Sequence, residues 1–173
     1  MITEQSLLDG GEPLEIERRY LIQVPDIAKL EELGLKKIEI RQDYLPNVNN
    51  KIRRIRKAEV DGDIKYVYTE KFRLSDTTRI ERSREITEDE YNELFDERAV
   101  GSHTIKKTRY NYYEGDYCFQ IDFYPEWPDK ALVEVSLPEE GAAVKLPSWM
   151  KVIREVTGDR KYKNEYLAFN GFE

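Results

Sequence analysis

The stretch Lys51–Arg73, KIRRIRKAEVDGDIKYVYTEKFR, reads as two strands around one turn. Asp61-Gly62 is a hairpin signal, because the favoured tight turn needs residues that tolerate positive φ. Side chains of a strand alternate between its two faces. Arg54 and Arg56 therefore share a face of the first segment, Lys51–Ala58. On the second, Ile64–Arg73, Lys71 and Arg73 share a face while Tyr66, Tyr68 and Phe72 lie opposite. Rows of charge on one side and aromatic residues on the other are a period-two pattern, so this part of the chain is sheet.

Working outward, the same period marks Leu14–Val24 (LEIERRYLIQV), Ile38–Leu45, Arg79–Ile86, Thr104–Tyr113, Tyr117–Tyr124 and Leu132–Leu137. Glu114-Gly115 makes a second hairpin turn. Between the strands, DIAKLEEL (26–33) predicts a short helix ended by Gly34. Thr87-Glu88-Asp89-Glu90 is a capping box. It opens a helix with Tyr91, Leu94, Phe95 and Ala99 on one face, closed by Gly101. PSWMKVIREV (147–156) and YKNEYLAF (162–169) predict further helix. Eight strands with hairpin-like spacing imply a closed or nearly closed antiparallel β-barrel with helices packed outside, an α+β fold. Residues 13–173 read as a single domain, and residues 1–12 as a flexible tail that reaches Gly10-Gly11.

The length, 173 residues, suits one core. Charged residues make up 36%, well above the usual ~25%, but 12% aromatic content argues against disorder. A net charge of −7 disfavours broad nucleic-acid or membrane binding. One cysteine, Cys118, excludes an intramolecular disulfide framework and suits a reducing, cytoplasmic setting. Cys118 reads as a packing residue and the lone histidine, His103, as a surface one. No apolar run is long enough to span a membrane, and the start lacks the basic and apolar regions of a secretory signal.

The charged rows recur. Glu15, Glu17 and Arg19 share a face, as do Arg79, Glu81 and Glu85, and Lys107 and Arg109. Asp122 and Glu134 stand among apolar neighbours on the last two strands. If these rows are solvated outer faces, they pair as cross-strand salt bridges around a sandwich core. If they point inward, one wet tunnel collects basic groups suited to phosphate oxygens and carboxylates suited to hard divalent cations. The pattern alone leaves both open.

In chain order these residues resemble the CYTH, or triphosphate tunnel metalloenzyme, family. Glu15-Ile16-Glu17-Arg18-Arg19 is similar to its opening Glu-x-Glu-x-Lys, with arginine for lysine. Arg41–Leu45 (RQDYL), Arg54-Ile55-Arg56, Thr69-Glu70-Lys71, Arg79–Ile86 (RIERSREI), Lys107–Tyr110 (KTRY), Ile121-Asp122-Phe123 and Val133-Glu134-Val135 follow. Pro147-Ser148-Trp149 and Val156–Asn164 extend the likeness, which spans residues 14–168. It implies an eight-stranded tunnel that takes inorganic, thiamine or nucleoside triphosphates with Mg²⁺ or Mn²⁺, hydrolysing the first two or cyclising ATP. It also implies metal ligands Glu15, Glu17, Glu81, Glu85, Asp122 and Glu134. Phosphate contacts would come from Arg54, Arg56, Lys71, Arg73, Arg79, Lys107 and Arg109, and catalytic roles fall to Glu17, Arg19 and Lys71. A homodimer is left open. The chain departs from the pattern at Ser83, Gln120 and Ser136, each in place of a family Glu, which weakens a second metal site. A class IV adenylate cyclase is the alternative, disfavoured because Gly10–Leu14 lacks the expected His-Phe pair. A non-catalytic polyphosphate or nucleotide binder is a third reading.

Overall fold

The computed structural model describes residues 14–172; the expected tail, residues 1–12, lies outside the described residues. Nine strands form one sheet: β1 (Leu14–Gln23), β2 (Lys37–Val48), β3 (Lys51–Val60), β4 (Asp63–Arg73), β5 (Thr78–Ile86), β6 (Ile105–Glu114), β7 (Tyr117–Phe123), β8 (Lys130–Ser136) and β9 (Val152–Glu155). Their order is β5-β4-β3-β2-β6-β7-β8-β1-β9, and β1 also pairs with β5, so the first eight close into an antiparallel ring. The helices are α1 (Ile27–Glu32), α2 (Glu88–Asp96) and α3 (Asn164–Asn170), the last after a single 3₁₀ turn at Arg160–Tyr162.

The hairpins rest on their turn residues. Asp61 and Gly62 hold φ of 51° and 86°, as the sequence implied. The β2–β3 turn uses Asn49 and Asn50, at 51° and 62°; asparagine tolerates this left-handed region because its amide bonds locally. β2 runs on through Pro46 beyond the expected Leu45, and a register shift between Leu45 and Val48 absorbs the missing donor. At α2 the Thr87 hydroxyl accepts from the Glu90 N–H. That helix ends at Asp96, short of the expected Gly101, and Ala99 instead donates its N–H to the Tyr44 carbonyl.

Two expectations need correction. The segment 147–156 is not helix: Val152–Glu155 is β9, paired with Tyr20–Ile22 of β1. Adjacent β-branched Val152 and Ile153 favour that extended backbone. Nor do all the helices cover the outside. α1 buries Leu30 against the outer face of β1, β7 and β8, with Tyr20, Ile22, Phe119, Ile121 and Val133. α2 buries Tyr91 against Leu45, Ile55 and Ile86. α3, however, stops one end of the ring: Leu167 and Ala168 pack with Leu21, Tyr44, Ile105, Tyr124 and Leu132. These are inward positions where each charged row gives way to an apolar residue. Leu21 follows Glu17 and Arg19 at the two-residue spacing; Ile105 precedes Lys107, Leu132 precedes Glu134, and Tyr124 follows Asp122. Burying one such side chain contributes about 1.5–3 kcal/mol.

The closing seam is short. β1 pairs with β5 only over Leu14–Ile16, against Thr78–Ile80. Beyond Glu17, whose N–H bonds the Thr77 carbonyl at 2.9 Å, β1 leaves β5, and β9 takes that edge from Tyr20 onward. The wall is therefore split between the β4–β5 loop and residues 157–165.

Candidate active site

Directly opposed residues in an antiparallel sheet share a face, so the register decides which side chains meet inside. Glu15 faces Arg79, and Arg79 faces Arg73. Arg19 faces Glu134, and Glu134 faces Gln120. Lys71 faces Glu81, Arg109 faces Asp122, and Arg56 faces Gln42. The charged rows thus form a girdle inside the ring, and the inward arrangement holds rather than the solvated one.

The girdle surrounds a cavity of about 130 Å³ with only polar and charged walls. Of the sequence-derived site residues, all but Arg73, Glu85 and Asp122 line it. It is continuous, through Glu17, Arg19, Lys71, Arg79 and Asn164, with a mouth at the seam. Arg73 stands in that mouth, bound to the Ser75 carbonyl at 3.1 Å and to Asp76. Glu85 is exposed near the end of β5, away from the cavity. Asp122 is buried behind the wall. Arg109 grips it with two bonds, 2.6 and 2.8 Å, and the Lys107 ammonium lies 2.8 Å away. Burial pulls its carboxyl upward, but Arg109 and then Lys107 outweigh that and hold it down at about 2. Its oxygens are engaged in orienting two cations.

The basic wall is crowded. Lys107 has a fully buried side chain, and burial, then Arg109 and Arg56, push its ammonium well below the usual lysine range against the pull of Asp122. Burial lowers Lys71 in the same way, reinforced by Arg54 and Arg79. Arg56 faces Arg54 and Arg109 and donates to the neutral amide of Gln42 at 3.4 Å. So much like charge withdrawn from bulk water is costly. An anion with several oxygens on this wall would relieve it.

The acidic wall is organised by one guanidinium. Arg79 lies 2.7 Å from Glu17, 2.9 Å from Glu15, 3.0 Å from Glu81 and 3.6 Å from Glu134. The carboxyls also pair with each other, Glu17 with Glu134 and Glu15 with Glu81. Burial first, then the charge of Glu134, pushes Glu17 up to about 8, so Glu17 carries the shared proton. Glu134 stays ionised beside Arg19, which reaches it at 3.1 Å. Arg19 is itself anchored to the Tyr162 carbonyl at 2.9 Å. The donor set is all oxygen, as Mg²⁺ and Mn²⁺ prefer, and two carboxyls sharing a proton mark a place where further positive charge is favourable. The residues fit such a cation by type. Among the described residues no three acidic, His or Cys side chains already stand in a metal-holding group.

Sequence reasoning missed four contributors. Gln42 is fully buried behind Arg56. Tyr44 lines the mouth. Asn164, at the start of α3, lines both spaces and accepts from the Tyr124 hydroxyl at 2.7 Å. Lys163 lines the mouth beside it; burial, then Arg73, Arg19 and Arg79, lower its ammonium to about 8. The alternation of β2 could have flagged Gln42 and Tyr44. Residues 162–169 announce a helix, but their spacing does not say that it stops a tunnel.

No family model matches the chain. Its fold is shared by the PH1819 protein from Pyrococcus horikoshii OT3, at 23% identity and a TM-score of 0.56 over 73% of this chain and 80% of that one. The crystal structure of the inorganic triphosphatase NE1496 is similar over 92% of this chain and 100% of that chain, at 28% identity and a TM-score of 0.58. The inorganic triphosphatase of Acetivibrio thermocellus is 31% identical over 160 residues, 92% of this chain and 96% of that protein. That identity, sustained along nearly the whole of both sequences, shows that the chain belongs to the CYTH, or triphosphate tunnel metalloenzyme, family.

Proposed function

We propose that the chain is a divalent-metal-dependent hydrolase of inorganic triphosphate that releases orthophosphate. The observation that carries this is the polar cavity inside the ring, with a basic wall of Arg54, Arg56, Lys107 and Arg109 facing the carboxylates around Arg79. Relatives that are inorganic triphosphatases by name support the substrate. The guanidinium groups bind phosphate oxygens in pairs, and Lys71 and Lys107 act as point charges. Held so, the chain of phosphates is oriented for in-line attack, and charge building on the leaving group meets fixed cations. Water attacks the terminal phosphorus, the phosphoanhydride P–O bond breaks, and orthophosphate and pyrophosphate leave. Lys71, whose ammonium is disfavoured by burial, stands where inner cavity and mouth join and can exchange a proton there. Glu15, Glu17, Glu81 and Glu134 would hold Mg²⁺ or Mn²⁺, which supplies neutralising charge and acidifies the attacking water.

A phosphate-release screen tests this, with triphosphate, pyrophosphate, thiamine triphosphate and ATP, each with Mg²⁺, Mn²⁺ or EDTA. The ATP arm is also read for cyclic AMP. Triphosphate with metal should turn over fastest. Absence of phosphate release from triphosphate under every metal condition would overturn the proposal.

A further inference from the structure

Arg79 is unlike the other cations of the girdle. Arg109 serves mainly one carboxylate, Asp122, and Arg54 reaches Glu81 only at 3.6 Å. Arg79 sits among four, at 2.7 to 3.6 Å. Those carboxylates come from β1, β5 and β8, so no single strand brings them together; they converge on this guanidinium. Arg79 also lines both the inner cavity and the mouth, with Lys71 between the two. A short swing of its side chain would carry the charge from the acidic wall to the side where Arg19, Lys71, Arg73 and Lys163 face open space.

We infer that Arg79 is an exchangeable internal counter-cation: it holds the four carboxylates until a divalent ion replaces it, and the freed guanidinium then binds the phosphate chain. This rests on the metal-dependent reading above. The exchange is reasonable on charge. A divalent ion brings twice the neutralisation of a guanidinium to the same oxygens, and leaving a buried carboxylate cluster costs Arg79 less if an anion awaits it. Planar guanidinium groups match phosphate oxygens in two-point contact. One side chain serving both ligands makes their binding reciprocal: metal strengthens triphosphate binding, and triphosphate strengthens metal binding to the same extent.

The experiment uses the full chain and Mn²⁺ alone as probe. Its affinity is measured by calorimetry and by the electron paramagnetic resonance of free Mn²⁺, for the native protein, Arg79→Ala, Arg79→Gln and Lys71→Ala. Removing the competing cation should tighten Mn²⁺ binding by about tenfold or more in both Arg79 variants, by the scale of one unit charge at contact distance. Lys71→Ala, which removes a charge near Glu81 but not from the centre of the cluster, should gain clearly less. In native protein carrying ¹⁵N-labelled arginine, the Arg79 Nε–H signal, assigned by its loss in Arg79→Gln, should shift on adding diamagnetic Mg²⁺. If the native protein binds Mn²⁺ but both Arg79 variants bind it equally or more weakly, the exchange is wrong while the metal-dependent reading stands. If neither native protein nor variants bind Mn²⁺, the metal reading falls and the exchange with it. Should Arg79→Ala fail to fold, Arg79→Gln and the native spectrum decide alone.

Discussion

Lys163 shows how far a single charge can depend on its surroundings. Its ammonium is lowered from the ordinary 10.5 to about 8 by burial and by Arg73, Arg19 and Arg79. Below pH 8 it is charged and adds to the pull on an anion in the mouth; above, that contribution fades. Triphosphate binding without metal should therefore weaken from pH 7 to pH 9 more in the native protein than in Lys163→Met, checked by calorimetry at each pH. At pH 7 the variant should lose about tenfold in affinity, the scale of one charge-assisted hydrogen bond. Folding runs the other way. The unfolded chain keeps this proton up to 10.5, so the Lys163 contribution to stability rises with pH between about 8 and 10.5. Little of this was legible in the sequence. Alternation put Arg54 with Arg56 and Lys107 with Arg109 on shared faces, because strand register propagates a face faithfully, and the family resemblance turned those faces inward. Lys163 and Asn164 lie after a 3₁₀ turn, where no period carries over, and only tertiary packing of α3 brings them to the cavity.

At the scale of elements, the β4–β5 loop controls the mouth, and two contacts hold it. The Glu140 carboxylate accepts from the hydroxyls of Ser75, Thr77 and Thr78, at 2.9, 2.6 and 2.7 Å, which keeps it ionised below the ordinary glutamate range. On the other side, Gly158 stands at φ +77°, and a Cβ there would come within 2.8 Å of the Asp76 side chain. Gly158→Ala should cost roughly 1–3 kcal/mol of stability, from the left-handed backbone and the displaced loop together, read by chemical denaturation. Glu140→Ala should leave the ring intact and speed amide exchange at residues 74–78, with KM raised more than kcat lowered; unchanged exchange there would show the loop is held by its own turns. Elements themselves were largely foreseen where local chemistry is strong, as at the Asp61-Gly62 turn and the Thr87 cap. They were misjudged where it is weak. Residues 147–156 have apolar spacing that also suits a helix, and the free edge of β1 tips β-branched Val152 and Ile153 into a strand.

For the whole molecule, the lumen couples charge to stability. Glu17, raised from 4.5 to about 8, gives the folded state an extra proton in that range. Its contribution is complete below pH 4.5 and is lost as pH rises towards 8. Glutamine imitates the protonated form, so Glu17→Gln should gain on the metal-free native protein, in thermal midpoint, progressively from pH 4.5 to 8, while losing metal-dependent turnover by about a hundredfold or more. Parallel stability curves would mean Glu17 is already ionised at neutral pH. Asp122 acts at the other limb: its contribution is present above the ordinary 3.8 and lost only as pH falls through about 2. The seam between β1 and its neighbours has a different consequence, in time rather than energy. β1 finds its partners far along the chain: Arg19 meets Glu134 across 115 residues and Thr157 across 138. Contacts of such long sequence separation form slowly, and during synthesis β1, beyond its three-residue pairing with β5, must wait for β8 while β2 to β7 emerge and pair among themselves. A strand so delayed is an aggregation hazard if it is uniformly apolar. Glu15, Glu17, Arg18 and Arg19 keep its first half charged and hydrated until β8 arrives, so Glu15, Glu17 and Arg19, which later line the lumen, also protect the strand that closes it.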